Sequence, residues 1–215
     1  GKGGASAPGG ITLNSRPVMW HCAEGSRMFE VSQFTELCRS ALRSPDAVGV
    51  VRRIVRDVIT DPKSITAALG QGQADSSTVA QYVFLHQSAD LTIMQTITPR
   101  RFRSPPHNHL VWVVIGMYEG CERNTFYRRD GTRLREDSVR DVKAPEAIVL
   151  AHDAIHGIAN PLDRPSYALH VYGGTLANPA RSIWNPFTFE EESFERTALS
   201  RYEHVMNHQS SGNAT

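Results

Sequence analysis

No apolar run in the 215-residue chain approaches the roughly 20 residues that a membrane-spanning helix needs, so no membrane partner is expected. The opening GKGGASAPGG lacks the apolar core of a signal peptide, and residues 1–15 are read as a disordered leader. Cysteine is scarce: Cys22, Cys38 and Cys121 are odd in number and form no C-x-x-C, which argues against a disulfide framework or a zinc ribbon. A reducing, cytoplasmic setting is the simplest expectation. Lysine occurs only at Lys2, Lys63 and Lys143, and the net charge is +1, so no strong field points to nucleic acid or an anionic membrane. There is no repeat of fixed period and no linker that would split the chain.

What is present divides into a helical first third and a β-rich remainder. Phe29, Val31, Phe34, Leu37, Cys38, Ala41 and Leu42 recur at helical spacing, with Ser32 as the expected N-cap. A second amphipathic stretch places Val48, Val51, Ile54, Val55, Val58 and Ile59 opposite Arg52, Arg53 and Arg56, and Asp61-Pro62 ends it and starts a short third helix through Leu69. Beyond the polar loop after Leu69 come nine strand-sized runs: AQYVFLHQ, LTIMQTITP, HLVWVVIGMYEG, CERNTFYRR, RLREDSVRDV, EAIVLA, HGIAN, SYALHVYGG and RSIWNPF. Asp130-Gly131 is a hairpin signal. Many short strands with few helices between them predict an antiparallel sandwich or barrel. The domain reading is one domain over 16–205, helical at about 28–70 and barrel at about 78–190, with 206–215 a loose tail.

His107 and His109 stand one residue apart before an unbroken apolar run. In an extended strand, side chains at i and i+2 share a face and can close on one ion, although such a pair can equally face solvent. Farther on, HDAIHGIANP places His156 four residues before Asn160. This pattern resembles the cupin superfamily, whose two motifs contribute a His-x-His pair and then a histidine followed at the fourth position by asparagine; Gly120 falls where the first motif ends. The resemblance implies a mainly β fold, a cupin double-stranded β-helix (jelly-roll barrel) with the N-terminal α-helices packed on its outside. It also implies His107, His109 and His156 as metal ligands. Val113 stands where cupins usually supply a ligand glutamate, leaving three imidazoles and no carboxylate.

Among cupins an all-histidine set resembles the cysteine dioxygenase family, and the sequence is most similar to its bacterial 3-mercaptopropionate dioxygenase branch. The residues that carry this likeness are HNHLVWVVIGM, then Ala168-Leu169-His170-Val171-Tyr172-Gly173-Gly174 where the family has Ser-x-His-x-Tyr, then Arg181 ahead of Trp184-Asn185-Pro186-Phe187-Thr188, and Gln81-Tyr82 with Leu85-His86 upstream. The resemblance implies Fe(II) as cofactor, His170 and Tyr172 as the catalytic pair, and Arg181 and Gln81 as substrate-binding residues. Ala168 departs from the family serine that orients the histidine, and Ser166, two residues back on the same face, is not assumed to replace it.

The chemistry of these residues agrees with that implication. Neutral imidazoles leave the full charge on Fe(II), so a thiol binds as thiolate, and three facial ligands leave positions for thiol and dioxygen. A guanidinium takes a carboxylate bidentately. The expected activity is addition of both atoms of O2 to the sulfur of a small thiol carboxylic acid. The alternatives are another thiol, such as cysteine or mercaptosuccinate, or a cupin that binds metal and carboxylate without turnover.

Overall fold

The computed structural model describes residues 28–72, 79–178 and 180–208. The expected leader, His21 and Cys22 lie outside them. Three helices, α1 (Val31–Ala41), α2 (Ala47–Val58) and α3 (Pro62–Leu69), precede the strands β1 (Gln81–Gln87), β2 (Thr92–Thr98), β3 (His107–Asn108), β4 (Val113–Glu119), β5 (Cys121–Asp130), β6 (Arg133–Lys143), β7 (Ala147–Leu150), β8 (Ile155–Ala159), β9 (Ser166–Tyr172), β10 (Ser182–Trp184) and β11 (Glu191–Ser193), and helix α4 (Arg196–His208) follows.

The strands form two antiparallel sheets, in the orders β1-β2-β9-β4-β7 and β11-β10-β3-β8-β5-β6. Chain-distant strands lie side by side in both, and the two sheets make the expected jelly-roll barrel. The Asp130-Gly131 turn joins β5 to β6 with Asp130 opposite Arg133, and Gly131 takes the positive φ of 61° that the turn requires.

The helices cover one outer face. Val51, Ile54, Val55 and Ile59 form one buried cluster with Ile93, Ile97, Val114, Leu169 and Val171 from β2, β4 and β9. The alternate residues Met94, Val113, Ile115, Met117, Ala168 and Tyr172 face the barrel interior. A strand buried on both faces has no polar alternation, which is why β4 is an unbroken apolar run. Each α2 aliphatic withdrawn from water stabilises the fold by about 1.5–3 kcal/mol. Asp46 and Asp61 cap α2 and α3 by accepting from the backbone N–H groups of Gly49 and Ser64.

Four details differ from the sequence reading. The first N-cap is Glu30 and Ser32 lies inside α1, because no side chain caps this end and the helix starts as soon as Phe29 docks. The histidine pair and β4 are not one strand: Leu110 has φ 55° and the chain turns between them. β11 and α4 are absent from the sequence reading: β11 has only three residues, whereas α4 carries Ala198, Leu199, Tyr202, Val205 and Met206 at helical spacing, a period that reading missed. α4 runs to His208, three residues into the segment expected to be loose, because Asn207 is bonded to the backbone of Arg103.

Helix α2 reaches β4 closely at Gly116, where an added Cβ would fall well inside contact distance of Val55 and 3.1 Å from Ile59. Gly116→Ala is expected to lower stability by about 1–3 kcal/mol through overpacking, read by urea denaturation. An unchanged midpoint would contradict the close approach.

Candidate metal and substrate site

The three histidines implied as ligands converge. His107 lies directly opposite His156 across the β3–β8 pair, so their side chains share a face, and the turn at Leu110 brings His109 back beside them. Ring centroids are 4.9 Å apart for His107–His109, 4.9 Å for His107–His156 and 5.0 Å for His109–His156. Backbone ties hold the ligand segment in place: Asn108 accepts from the Ser182 N–H at 2.8 Å, and Ser104 Oγ accepts from the Ile158 N–H at 2.9 Å. Asn160 is a staple rather than a ligand, donating to the carbonyls of Thr98, Pro99 and Arg164.

The nitrogens are arranged for a cation. Nε2 of His107 and Nε2 of His109 are 3.2 Å apart, close to the ~3 Å that separates two nitrogens bound cis to one ion at about 2.1 Å. His107 donates Nδ1–H to the Pro105 carbonyl at 3.0 Å, and His156 donates Nδ1–H to Asn124 Oδ1 at 2.8 Å, so both leave Nε2 as the free lone pair. His156 Nε2 is buried without a partner. One ligand atom from each of the three lies within 4.8 Å of the others. Burial pushes the His107 imidazole down to about 4 and holds His109 and His156 well below the usual range, so all three are neutral donors. A borderline divalent ion such as Fe(II) or Zn(II) suits this donor set.

Beside the triad lies the expected acid pair. His170 Nδ1 is 3.0 Å from the Tyr172 hydroxyl, and the Tyr172 ring meets His109 edge-on with centroids 5.1 Å apart. Burial lowers the His170 imidazole to about 3 and raises the Tyr172 phenol. Ser166 does not serve His170, because its hydroxyl accepts from the Cys121 N–H and packs under Gly120.

Arg181 is 5% exposed. It donates Nε–H to the Asn108 carbonyl at 3.0 Å and Nη1–H to the Leu176 carbonyl at 2.9 Å, with its guanidinium 3.8 Å over the Phe194 ring. No carboxylate pairs with it among the described residues. Burial lowers it to about 10, which leaves it charged near neutrality. Arg181, the three ligand histidines, His170 and Tyr172 all line one cavity of about 810 Å³.

Gln81 does not line it. Its carboxamide oxygen lies beside Gly72 and Ile97, on the face turned towards the helices. With a two-residue period, the inward residues are its neighbour Tyr82 and then Phe84. The substrate role assigned to Gln81 is therefore corrected: that strand presents Tyr82 to the cavity. His86 also lies outside, beside Arg39 and Ser88.

Several cavity-side residues were not singled out from sequence. Tyr82 donates its hydroxyl to Glu203 of α4 at 2.7 Å. On β5, Glu122 and Asn124 are both essentially buried, and Asn124 Nδ2–H donates to Glu122 Oε1 at 3.0 Å. Burial raises the carboxyls of Glu122 and Glu203 to about 7 each. For β5 the signal was available, since Glu122 and Asn124 share the inward face under the alternation that puts Arg123 outside. For Glu203 it lay in the helical recurrence of Ala198, Leu199, Tyr202, Val205 and Met206, which was not read as a helix.

No family model matches the sequence. Solved structures to which the chain is similar include KdgF from Halomonas sp., at 18% identity over 46% of this chain and 83% of that one with a TM-score of 0.38. An RmlC-like cupin with a double-stranded β-helix fold from Methanocaldococcus jannaschii is similar at 13% identity, over 47% and 85%, with a TM-score of 0.39. A recombinant oxalate oxidase in complex with glycolate is similar at 15% identity, over 51% and 57%, with a TM-score of 0.39. No helix among the described residues is long and apolar enough to cross a membrane.

Asn124→Ala removes the acceptor that orients His156 and is expected to weaken divalent-metal affinity about 10–100-fold, measured by competition with a chromophoric chelator. Unaltered affinity would contradict that orienting role. Glu203 binds its proton more tightly folded, at about 7, than at the ordinary 4.5, so the folded state holds the extra proton between these values and stability falls as pH rises through them. Glu203→Gln is expected to flatten this decline and to be the more stable protein at about pH 8, by on the order of 2–3 kcal/mol. Parallel stability–pH curves for the two proteins would contradict it.

Proposed function

We propose that this protein is an iron-dependent thiol dioxygenase acting on a small thiol carboxylic acid of the 3-mercaptopropionate type. The observation that supports this reading most directly is Arg181, a buried guanidinium with no acidic partner among the described residues, lining the same cavity as three convergent neutral histidines. A buried cation needs a counter-charge, and a substrate carboxylate supplies one. Phe194 stacks against the guanidinium and the Asn108 and Leu176 carbonyls take one N–H each from Nε and Nη1, so both N–H groups of Nη2 and the second of Nη1 are left for that carboxylate.

Fe(II) held by His107, His109 and His156 would take the thiol as thiolate and supply the redox chemistry that joins both atoms of O2 to sulfur, converting RSH to the sulfinic acid RSO2H. The chain's own residues orient and protect. Arg181 fixes the carboxylate end, so the sulfur end is directed to the histidines. Tyr172, with its hydroxyl on His170, holds a proton beside His109 and can donate it towards oxygen or accept it back. Met94, Leu176 and Ile158 line the wall and exclude bulk water.

A second guanidinium favours a related reading. Arg196 lines the same cavity above the Phe84 ring, 5.4 Å from its centroid. A thiol dicarboxylic acid such as mercaptosuccinate would engage both arginines.

Fe(II)-loaded protein is expected to consume equimolar oxygen and 3-mercaptopropionate and to release the sulfinate, with mercaptosuccinate and cysteine as competitors. Arg181→Leu should raise KM for the acid about 100-fold while leaving metal content intact. A fully iron-loaded protein that leaves all three thiols untouched would refute the proposal and favour metal and carboxylate binding without turnover.

A further inference from the structure

Tyr172 can be a useful proton donor only if the imidazole behind it has a defined tautomer, and the second nitrogen of that imidazole is exposed to neither water nor a hydrogen-bond partner. His170 Nε2 is buried and unsatisfied. A buried N–H or lone pair left in this state costs about 1–3 kcal/mol, so the groups around it matter. Its own strand offers nothing: Ala168 on the same face carries only a methyl group, and the Ser166 hydroxyl is engaged by Cys121. The polar atom that faces it is Glu122 Oε2 at 3.8 Å, from β5 across the barrel. A shift of about half an ångström brings such a contact to hydrogen-bond length.

We propose that Glu122 is the positioning residue of the His170–Tyr172 pair: its carboxylate accepts the Nε2–H of His170, leaving Nδ1 as the acceptor of the Tyr172 hydroxyl. The inference rests on the reading of His170 and Tyr172 as the proton-managing pair given above.

Glu122 is held for this role. Its Oε1 accepts from Asn124, whose own carbonyl is taken by His156, so one chain of contacts runs from a metal ligand through Asn124, Glu122 and His170 to Tyr172. The groups facing the carboxyl are His170 and Tyr172 from β9 and Tyr82 from β1, and its ion-pair partner among the described residues is His170 alone. Carboxylate, imidazole and hydroxyl in that order let the imidazole take the hydroxyl's proton while the carboxylate stabilises the resulting imidazolium. With Nδ1 as acceptor, the Tyr172 hydroxyl is held in one orientation, its proton directed at His170 and its oxygen lone pairs free beside His109.

The test reads the tautomer directly. Long-range nitrogen–proton NMR of zinc-loaded, histidine-labelled protein at about pH 8, above the Glu122 value of about 7, should show His170 protonated at Nε2. In Glu122→Gln the orientation of Asn124 forces the new amide to present its NH2 to His170, so the tautomer should reverse to Nδ1–H while metal content is retained. With iron, kcat should fall about tenfold or more at little changed KM. Wild-type His170 protonated at Nδ1 would overturn the proposal, and that measurement requires no variant to fold. An unchanged tautomer in a folded Glu122→Gln protein would overturn it equally. No thiol enters the NMR arm, so a wild-type Nε2–H tautomer that reverses in the variant upholds the inference even where thiol oxidation fails.

Discussion

Two imidazole nitrogens stand 3.2 Å apart in the cavity wall, and His107 presents its lone pair there because its Nδ1–H is given to Pro105. That spacing is the one two nitrogens bound to a single ion would take, and the surrounding structure is organised to maintain it. The cross-strand register that sets His107 opposite His156 allows no slip, since a shift of one residue would turn either side chain to the other face. Burial keeps the rings neutral, so each retains a nitrogen able to bind an ion. The outward nitrogens of His107 and His156 are occupied by Pro105 and Asn124, which prevents either ring from turning away. The barrel supplies the stiffness: the sheet of β2, β9 and β4 is packed on both faces, with α2 seated closely enough on Gly116 to leave no room for a methyl group.

Much of this was legible in the sequence because the relevant signals are local. Hairpin chemistry at Asp130-Gly131 and the helix boundary at Asp61-Pro62 act within a few residues, and the strand runs follow a period of two. His107 and His109 could be paired on spacing alone. His156 could not, because its partnership with them is made by a strand pairing between segments nearly fifty residues apart, and there a family likeness did what periodicity could not.

The misreading of Gln81 has a simple geometric cause. A likeness identifies a strand, but adjacent residues on it point to opposite faces, and only the register with β2 decides which one enters the barrel. Gln81 pairs opposite Ile97, whose side chain packs under the helices, so both face away from the cavity. The polar layer behind the ligands was missed for the opposite reason. Glu122 and Asn124 sit in a strand that reads as an ordinary polar edge from Glu122 to Asp130, where only the two-residue alternation about Arg123 marks the pair that turns inward.

Charge then gives a reason for a carboxylate at Glu122. On the proposed reading, a ferrous ion with neutral ligands and the Arg181 guanidinium would together place three positive charges in one low-dielectric cavity. A substrate carrying a carboxylate and a thiolate returns two negative charges. One positive charge would remain, and in a medium of low effective dielectric an uncompensated charge costs several kcal/mol. Glu122 is buried beside this cavity with its proton held only to about 7, so a nearby cation would shift it towards the ionised form. An alanine at position 168 is then tolerable in energetic terms: a serine hydroxyl could satisfy the His170 nitrogen, but it could not supply the missing negative charge. The same balance explains why no acidic side chain is needed at Val113. A carboxylate ligand there would halve the ion's charge before the substrate arrived, weakening its pull on the thiolate of the proposed substrate.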